Sequence, residues 1–158
     1  KGGSRLQDFV LNTDFAALFA DYAGLNTPKF MQGRSFRNNL DGHTPADWRT
    51  SMYYRYWENM VKCPANFGIR TKKYKLIFYY GQPLGINGAQ KKTTTPGWEF
   101  YDLQIDPHEL HNAYRDPKYN DIVLKLKKEL LVQKHLVKDD ADATNPVMPQ
   151  LIKAYWHI

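Results

Sequence analysis

Apolar and polar residues alternate most regularly in the stretch 66–81, which reads NFGIRTKKYKLIFYYG. In its second half Leu76 and Phe78 fall on one face and the residues between them on the other, as in a β-strand. A short basic turn at Thr71–Tyr74 joins two arms rich in β-branched and aromatic residues. Gly68 suits a position where a backbone or a ligand approaches closely. The stretch therefore predicts a central β-hairpin.

Two other segments have strand character. Ser51–Trp57 places aromatic rings on both of its faces, which is typical of a strand that is covered on both sides or borders a binding cleft. Trp98–Leu103 is a further strand. The loop Gly81–Gly97, with four glycines and two prolines, has no periodicity and is long for a compact domain. We expect it to be the least ordered internal segment.

The apolar pattern predicts a first helix over 15–23. Asn12 or Thr13 is placed to cap it, and Gly24 suits its end. Its stripe repeats at the helical positions i, i+3, i+4 and i+7, and consists of Phe15, Leu18, Phe19 and Tyr22. Because the segment is apolar on more than one side, it needs neighbours on several faces.

A long helix is predicted to begin at Asp116-Pro117, with Asp as the N-cap and Pro at the first helical position, and to end near 135–138. Its apolar stripe consists of Tyr119, Ile122, Val123, Leu126 and Leu130, and its lysines 125, 127 and 128 are predicted to point outward. Leu151–Trp156 is expected to dock as an apolar anchor. These elements predict an α+β fold, in which an antiparallel sheet of about four strands packs against the long helix.

Charge changes this picture in one respect. The chain of 158 residues carries a net charge of +6, but nine Lys or Arg and one acid, Glu58, lie between Arg49 and Lys92. Such a surplus favours an anionic partner, although a solvated basic face is the ordinary interpretation. The single cysteine permits no internal disulfide, and no run of eighteen apolar residues occurs. The chain starts with K-G-G-S, without Met, so we interpret it as a fragment.

Three sequence blocks carry a resemblance. They are M-Q-G-R-S-F at Met31–Phe36, G-I-R-T-x-x-Y-K-L-I at Gly68–Ile77, and W-E-F-Y-D-L-x-x-D-P-x-E at Trp98–Glu109. In this order they resemble the C-terminal region of formylglycine-dependent sulfatases of the alkaline-phosphatase superfamily. The match runs from Lys1 to about Leu130.

The resemblance implies a division of the chain. Residues 1–40 would be the tail of the sulfatase catalytic domain, including its last helix, residues 41–138 the C-terminal subdomain, and residues 139–158 an extended tail. The parent protein would hydrolyse sulfate esters, with a sulfated carbohydrate as the expected substrate class. By resemblance it would contain a formylglycine nucleophile and Ca²⁺, both held upstream of this chain, and would be periplasmic or secreted.

Three residues are candidates for contact with substrate. Asn66 stands where similar sulfatases usually have a His that projects toward the substrate, immediately before the strand motif G-I-R-T. Asn can donate and accept a hydrogen bond but carries no charge near neutral pH. Lys62, in the preceding loop, is a candidate for touching an anion. Arg70 could contact sulfate or sugar, but a structural pairing with an acid such as Asp102 is the favoured interpretation.

Other chemically suggestive residues are set aside. Cys63 begins a C-x-A-x sequence, but Phe67 replaces the Arg of the formylglycine motif, so a small buried thiol is the preferred interpretation. His108 and His111 are three residues apart, whereas the zinc-protease motif needs four. The acids Asp102, Asp106 and Glu109 do not match a calcium loop and are assigned to capping. No catalytic and no metal-binding residue is therefore predicted in this chain.

The expected partners are an upstream sulfatase catalytic domain and a sulfated small molecule or glycan, without nucleic acid or membrane. The fragment alone is expected to be inactive, and the apolar helix 15–23 could lead it to self-associate. One alternative is a non-catalytic basic module that binds polyanions. A second keeps the superfamily but changes the ester to phosphate or phosphonate, and only upstream residues would separate that from a sulfatase.

Overall fold

The computed structural model describes residues 3–139 and 146–156. The chain forms two compact units, Lys1–Thr50 and Ser51–Ile158, and each is described separately.

The second unit is an α+β structure, which confirms the predicted fold class. Its four strands form one antiparallel sheet in the order β1-β2-β3-β4. The strands are β1 (Ser51–Tyr56), β2 (Asn66–Thr71), β3 (Tyr74–Tyr79) and β4 (Gly97–Asp102). The helices of the chain are α1 (Asp14–Tyr22), α2 (Arg37–Leu40), α3 (Asn120–Leu136), preceded by a 3₁₀ turn (Pro117–Tyr119), and α4 (Met148–Tyr155).

The predicted hairpin is the centre of the sheet. β2 and β3 are joined by only two residues, Lys72 and Lys73, and the hydroxyl of Thr71 accepts hydrogen bonds from the backbone N–H of Tyr74 (2.9 Å) and of Lys73 (3.2 Å). This local closure fixes the register of the two arms, because a slip of one residue would move every side chain to the opposite face.

Gly68 occupies the close approach that its sequence context predicts. A Cβ atom at this position would lie 2.6 Å from the carbonyl oxygen of Leu76 and 3.0 Å from the hydroxyl of Tyr54. The missing side chain therefore lets the ring of Tyr54 lie over β2.

The inner face of the sheet is the aromatic core. Phe78 lies at its centre, with ring centroids 5.6 Å from Phe67, 4.7 Å from Trp98 and 6.2 Å from Trp156. α3 covers this face with Val123, Leu126 and Leu130, all buried. Burial of rings and aliphatic side chains of this size dominates the stability of small domains.

Lys127 corrects one prediction, because it points inward. It is buried, and its ammonium group donates to the carbonyl oxygen of Trp156 and to the hydroxyl of Tyr114 (2.9 Å) while it lies 4.7 Å from the ring centroid of Trp98. The carbonyl and the aromatic rings replace the water that the ammonium loses on burial. Burial lowers the pKa of Lys127. A helical pattern of apolar residues alone does not identify such a lysine.

The segment 139–158, which was predicted to be extended, contains helix α4, while residues 140–145 lie outside the described residues. Met148 and Trp156 are buried, and the carbonyl oxygen of Tyr155 accepts a hydrogen bond from the indole of Trp98 at 2.9 Å. A helix forms here because its apolar side docks on the core, as expected for the anchor at its end.

We predict that Lys127→Met destabilises the second unit by ~1–3 kcal/mol, because the substitution leaves the buried carbonyl of Trp156 without its donor. The measurement is urea denaturation followed by circular dichroism. Lys128→Met is the matched control, since Lys128 is exposed on the same helix. Equal stability of the two variants would contradict this role of Lys127.

In the first unit, Asp14 is the organising residue. Its carboxylate, fully buried, forms an ion pair with Arg49 and accepts hydrogen bonds from the backbone N–H of Leu11 (2.7 Å) and Arg34 (2.9 Å). Thr13 occupies the N-cap position of α1 but makes no side-chain cap bond, so the predicted cap is wrong. Asp14 takes over the task of fixing this helix start and ties it to two distant segments.

The predicted apolar stripe of α1 is mostly exposed. Only Leu18 is buried, against Phe36 and Trp48, whereas Phe15, Phe19 and Tyr22 are 44%, 65% and 56% exposed. Exposed rings in one stripe are typical of a surface that another body covers. None of the helices in the described residues is long and apolar enough to cross a membrane.

Asp14 should also make stability depend on pH. Burial by itself raises the pKa of Asp14, but the hydrogen bonds from Arg49 and from the N–H groups of Leu11 and Arg34 outweigh burial and lower that pKa. A carboxyl with a lowered pKa in the folded state stabilises the fold above its unfolded pKa of ~3.9. That contribution is lost as the pH falls through the folded pKa.

We therefore predict that Asp14→Asn costs ~3 kcal/mol near pH 7, because Arg49 then lacks its buried partner. The difference from the wild type should shrink as the pH falls below ~3.9. Urea titrations at several pH values measure it, with Asp41→Asn at an exposed position as the control. A difference that stays constant with pH would contradict the assignment.

Candidate functional site

The outer face of the sheet, opposite α3, ends in a row of four residues from four strands. Tyr56 pairs with Asn66, Asn66 with Tyr79, and Tyr79 with Gly97. Side chains in one such row share a face. The row places Asn66 between two tyrosines, at the edge where the loops 57–65 and 80–96 meet the sheet.

Asn66 is held firmly at this edge. The residue is 7% exposed, and its side-chain amide donates to the carbonyl oxygen of Pro64 at 2.9 Å. The bond fixes the orientation of the carboxamide, so that a ligand at the edge would meet a preformed polar group.

Asn59, in the loop before β2, joins the two loops at this edge. It is fully buried; its side chain accepts from the N–H of Ala65 at 3.1 Å and donates to the carbonyl oxygen of Lys92 at 2.8 Å. The backbone carbonyl oxygen of Asn59 accepts a hydrogen bond from the backbone N–H of Gln90 at 2.8 Å. One side chain thus replaces the missing secondary structure between two irregular segments.

The loop 81–97 was expected to be the least ordered internal segment, yet the structure anchors it at both ends. Besides the bonds to Asn59, Gly81 donates its N–H to Ala65 and accepts from Thr94. Gly81 has φ +60° and its position leaves no room for a Cβ atom, which would lie 2.3 Å from the Thr94 hydroxyl. Glycine is therefore required here for both conformation and space.

A cleft of about 450 Å³ opens beside this edge. Its lining includes Lys62, which is exposed in the first loop, and Tyr79, Trp98 and Glu99 from the sheet. A second cleft of about 420 Å³ shares Gly97, Trp98 and Asn112 with the first and is also lined by Arg115. The two clefts therefore neighbour each other at β4, which is an edge strand of the sheet.

Glu99 is the acid of this site. Its carboxylate accepts a hydrogen bond from the hydroxyl of Tyr101 at 3.0 Å. Burial raises the pKa of Tyr79 and of Tyr101, and the neighbouring Glu99 raises both further. The phenols therefore stay protonated, and the Tyr101 hydroxyl donates to the Glu99 carboxylate.

Arg70 does not share this edge. It is exposed on the outer face four residues from Asn66 along β2, about 13 Å away at the usual rise of a strand. The favoured pairing with Asp102 is wrong, because Arg70 lies opposite Lys75 on the outer face and Asp102 on the inner face. There the Asp102 carboxylate accepts from the Tyr119 hydroxyl at 3.0 Å.

The chemically suggestive residues that were set aside have structural roles. Asp106 accepts from the N–H groups of Leu110 and His111, as expected for turn capping, and Glu109 pairs with Lys75 at 2.6 Å. Among the described residues, no group of three or more His, Cys, Asp and Glu side chains could hold a metal ion. Cys63 is exposed, so the predicted burial of this thiol is wrong. It lies in a surface turn that Met60 closes by two backbone hydrogen bonds.

The basic residues between 49 and 92 do not form one surface. Three of them are neutralised in ion pairs within their own units: Arg49 with Asp14, Arg55 with Asp139, and Lys75 with Glu109. Of the others, one group lies in the joined loops and the second at the hairpin turn, which is the opposite end of β2. The first group is Lys62, Lys91 and Lys92, and the second is Arg70, Lys72 and Lys73.

The second unit is thus a four-stranded antiparallel sheet with a long helix on one face and loops that carry polar groups at one end of its strands. The family model for the C-terminal region of N-sulphoglucosamine sulphohydrolase matches residues 1–136. The chain belongs to this family, among the sulfatases of the alkaline-phosphatase superfamily. The resemblance seen in the three sequence blocks is thereby confirmed.

The chain is also similar to characterised relatives. It is 34% identical over 157 residues to an N-acetylglucosamine-6-O-sulfatase of Bacteroides thetaiotaomicron, covering 94% of this chain and 25% of the relative. It is 32% identical over 152 residues to an ulvan-active sulfatase of Formosa agariphila, covering 82% of this chain and 30% of the relative. The chain thus spans less than a third of the length of either relative.

One solved structure is similar over most of the chain. The protein BT4656, in complex with its substrate D-glucosamine-2-N,6-O-disulfate, has a TM-score of 0.75 and 32% identity. The match covers 93% of this chain and 27% of that protein.

Sequence reasoning missed Asn59 and Glu99. Asn59 stands in an irregular segment without a capping pattern, and its two loop partners are 6 and 33 residues away, so no local signal identifies it. Glu99 could have been recognised, since alternation along β4 places it on the face opposite Trp98 and Phe100.

We predict that Asn59→Ala makes the loops 57–65 and 80–96, called here the joined loops, open more often while the sheet stays folded. The N–H of Ala65 loses its acceptor, so its hydrogen exchange should accelerate at least tenfold, together with that of Gln90. Exchange measured residue by residue by NMR tests this, with Asn87→Ala in the exposed part of the same loop as the control. Unchanged protection of Ala65 would show that Asn59 does not join the loops.

Proposed function

We propose that this chain is the C-terminal part of a sulfatase that hydrolyses sulfate esters of a sulfated carbohydrate. The observation that supports it best is similarity over 94% of the chain to an N-acetylglucosamine-6-O-sulfatase, together with the fold of a protein solved with a sulfated glucosamine. In this proposal the edge row around Asn66 forms one wall of the substrate pocket, and the parent protein is periplasmic or secreted.

The described residues supply binding and not bond cleavage. Asn66 would donate or accept a hydrogen bond at the sugar, and Lys62 would attract the anionic ester. The formylglycine and Ca²⁺ of the parent enzyme would supply the nucleophile and neutralise the developing charge. The exposed rings of α1 favour an upstream catalytic domain as the partner that covers them. Arg70, at the far end of β2, is the weakest of the three substrate-contact candidates.

The alternative of a non-catalytic polyanion-binding module finds less support. Its basis was one basic surface between 49 and 92, whereas the structure pairs three of those cations with acids and divides six between opposite ends of β2. Two separated groups of three cations would bind a polyanion with a shallower dependence on salt than nine together.

We predict that Asn66→Ala in the full-length protein lowers kcat/KM for D-glucosamine-2-N,6-O-disulfate about tenfold, which corresponds to one lost hydrogen bond. Sulfate release measures the rate, and Asn120→Ala, exposed at the start of α3, is the matched control. The 158-residue chain alone should release no sulfate.

Two results would contradict the proposal. One is turnover by the isolated chain. The other is a full-length protein that cleaves phosphate or phosphonate monoesters but no sulfate ester, which would place the protein elsewhere in the superfamily.

A further inference from the structure

We propose that the two neighbouring clefts at β4 form a groove that binds neighbouring sugar units of an anionic oligosaccharide. This inference rests on the proposed function for its biological meaning, and it extends the Asn66 wall, with which it shares Lys62 and Tyr79, to residues along β4. For brevity the surface lined by Lys62, Tyr79, Trp98, Glu99, Asn112 and Arg115 is called the β4 groove.

The size of the β4 groove suits a short saccharide. Its two parts have volumes of about 450 and 420 Å³, and each lies within the ~300–1,000 Å³ of ordinary small-molecule sites. They share Gly97, Trp98 and Asn112, so a chain of two or more sugar units could continue from one part into the other.

The floor of the groove is rigid. Trp98 is held by its indole hydrogen bond to the Tyr155 carbonyl oxygen at 2.9 Å and stacks on Tyr114 with a centroid distance of 5.9 Å. Asn112 accepts from the N–H groups of Phe100 and Tyr114 and donates to the carbonyl oxygen of Trp98. A preformed floor binds without the entropic cost of ordering side chains.

The chemistry of the groove selects a hydroxyl-rich ligand. A carboxylate offers about four acceptor positions, and the phenol bond from Tyr101 to Glu99 leaves capacity for sugar hydroxyls. The ring of Tyr79 adds an apolar surface beside this acceptor. Aromatic faces and a fixed hydrogen-bonding acid together fit the apolar and the polar sides of a pyranose ring.

The cations select an anionic ligand. Lys62 lines the first part of the groove and Arg115 the second, and both are exposed. The loops that Asn59 joins also carry Lys91 and Lys92. Within the described residues, no acid forms a salt bridge with any of these four side chains, so sulfate or carboxylate groups along a glycan would find partners there.

Isothermal titration calorimetry of the 158-residue chain with a heparin-derived tetrasaccharide tests the proposal, with neutral cellotetraose as the comparison. The wild type should bind the sulfated tetrasaccharide at least tenfold more tightly than cellotetraose. Glu99→Gln and Arg115→Met should each weaken binding about tenfold. Lys72→Met, at the hairpin turn, is the matched control and should change binding less than twofold.

The Glu99→Gln variant distinguishes specific hydrogen bonding of the sugar in the groove from nonspecific electrostatic attraction to its cations. If the tetrasaccharide is held only by charge, removal of an acid strengthens binding or leaves it unchanged, whereas loss of an acceptor for sugar hydroxyls weakens it. Stronger or equal binding by Glu99→Gln, or equal weakening by Lys72→Met, overturns the proposal. Near-ultraviolet circular dichroism of each variant confirms that its aromatic core is intact.

The binding experiment and the sulfate-release experiment can fail independently, so the groove and the proposed function are tested separately. Binding by this chain with the expected response to Glu99→Gln, without sulfate release by the full-length protein, would support the groove and contradict the sulfatase function. Sulfate release together with unaltered binding by both groove variants would contradict the groove alone.

Discussion

The second unit depends on the packing of the inner face of the sheet against the two helices, α3 and α4, that follow it in sequence. Rings from β2, β3, β4 and the end of α4 meet around Phe78, and Lys127 closes the contact by donating to the carbonyl oxygen of Trp156. Because every second residue of each strand is used for this core, the alternate residues are left on the outer face for other tasks.

The two ends of the outer face carry different residues. At the hairpin end it carries Arg70 near the tight turn, whereas at the opposite end it meets two long loops and displays Asn66, Tyr79 and Glu99. Loops positioned by a rigid sheet are the usual carriers of binding residues. Here a buried asparagine, Asn59, holds the two irregular segments together, with further bonds between Gly81 and Ala65 and between Gln90 and Val61.

The sequence allowed the sheet to be predicted because period-two alternation and a basic two-residue turn are local signals. The family could be predicted because two of its three motifs include residues of the same strands. Features formed by long-range contacts could not be predicted: the inward turn of Lys127, the exposure of Cys63 and the separation of Arg70 from Asp102 all depend on which face meets which neighbour. Asn66 could be selected as a candidate only by resemblance, since nothing in its local pattern distinguishes it.

We propose that the edge around Asn66 forms the sugar-facing wall of a sulfatase. A crystal structure of the full-length protein with D-glucosamine-2-N,6-O-disulfate is the first experiment to make. We expect a sugar atom within hydrogen-bonding distance of the Asn66 side chain, with the loops 57–65 and 80–96 beside the sugar. A sugar bound at the Arg70 end of β2, or an Asn66 edge buried against protein and closed to the ligand, would contradict it.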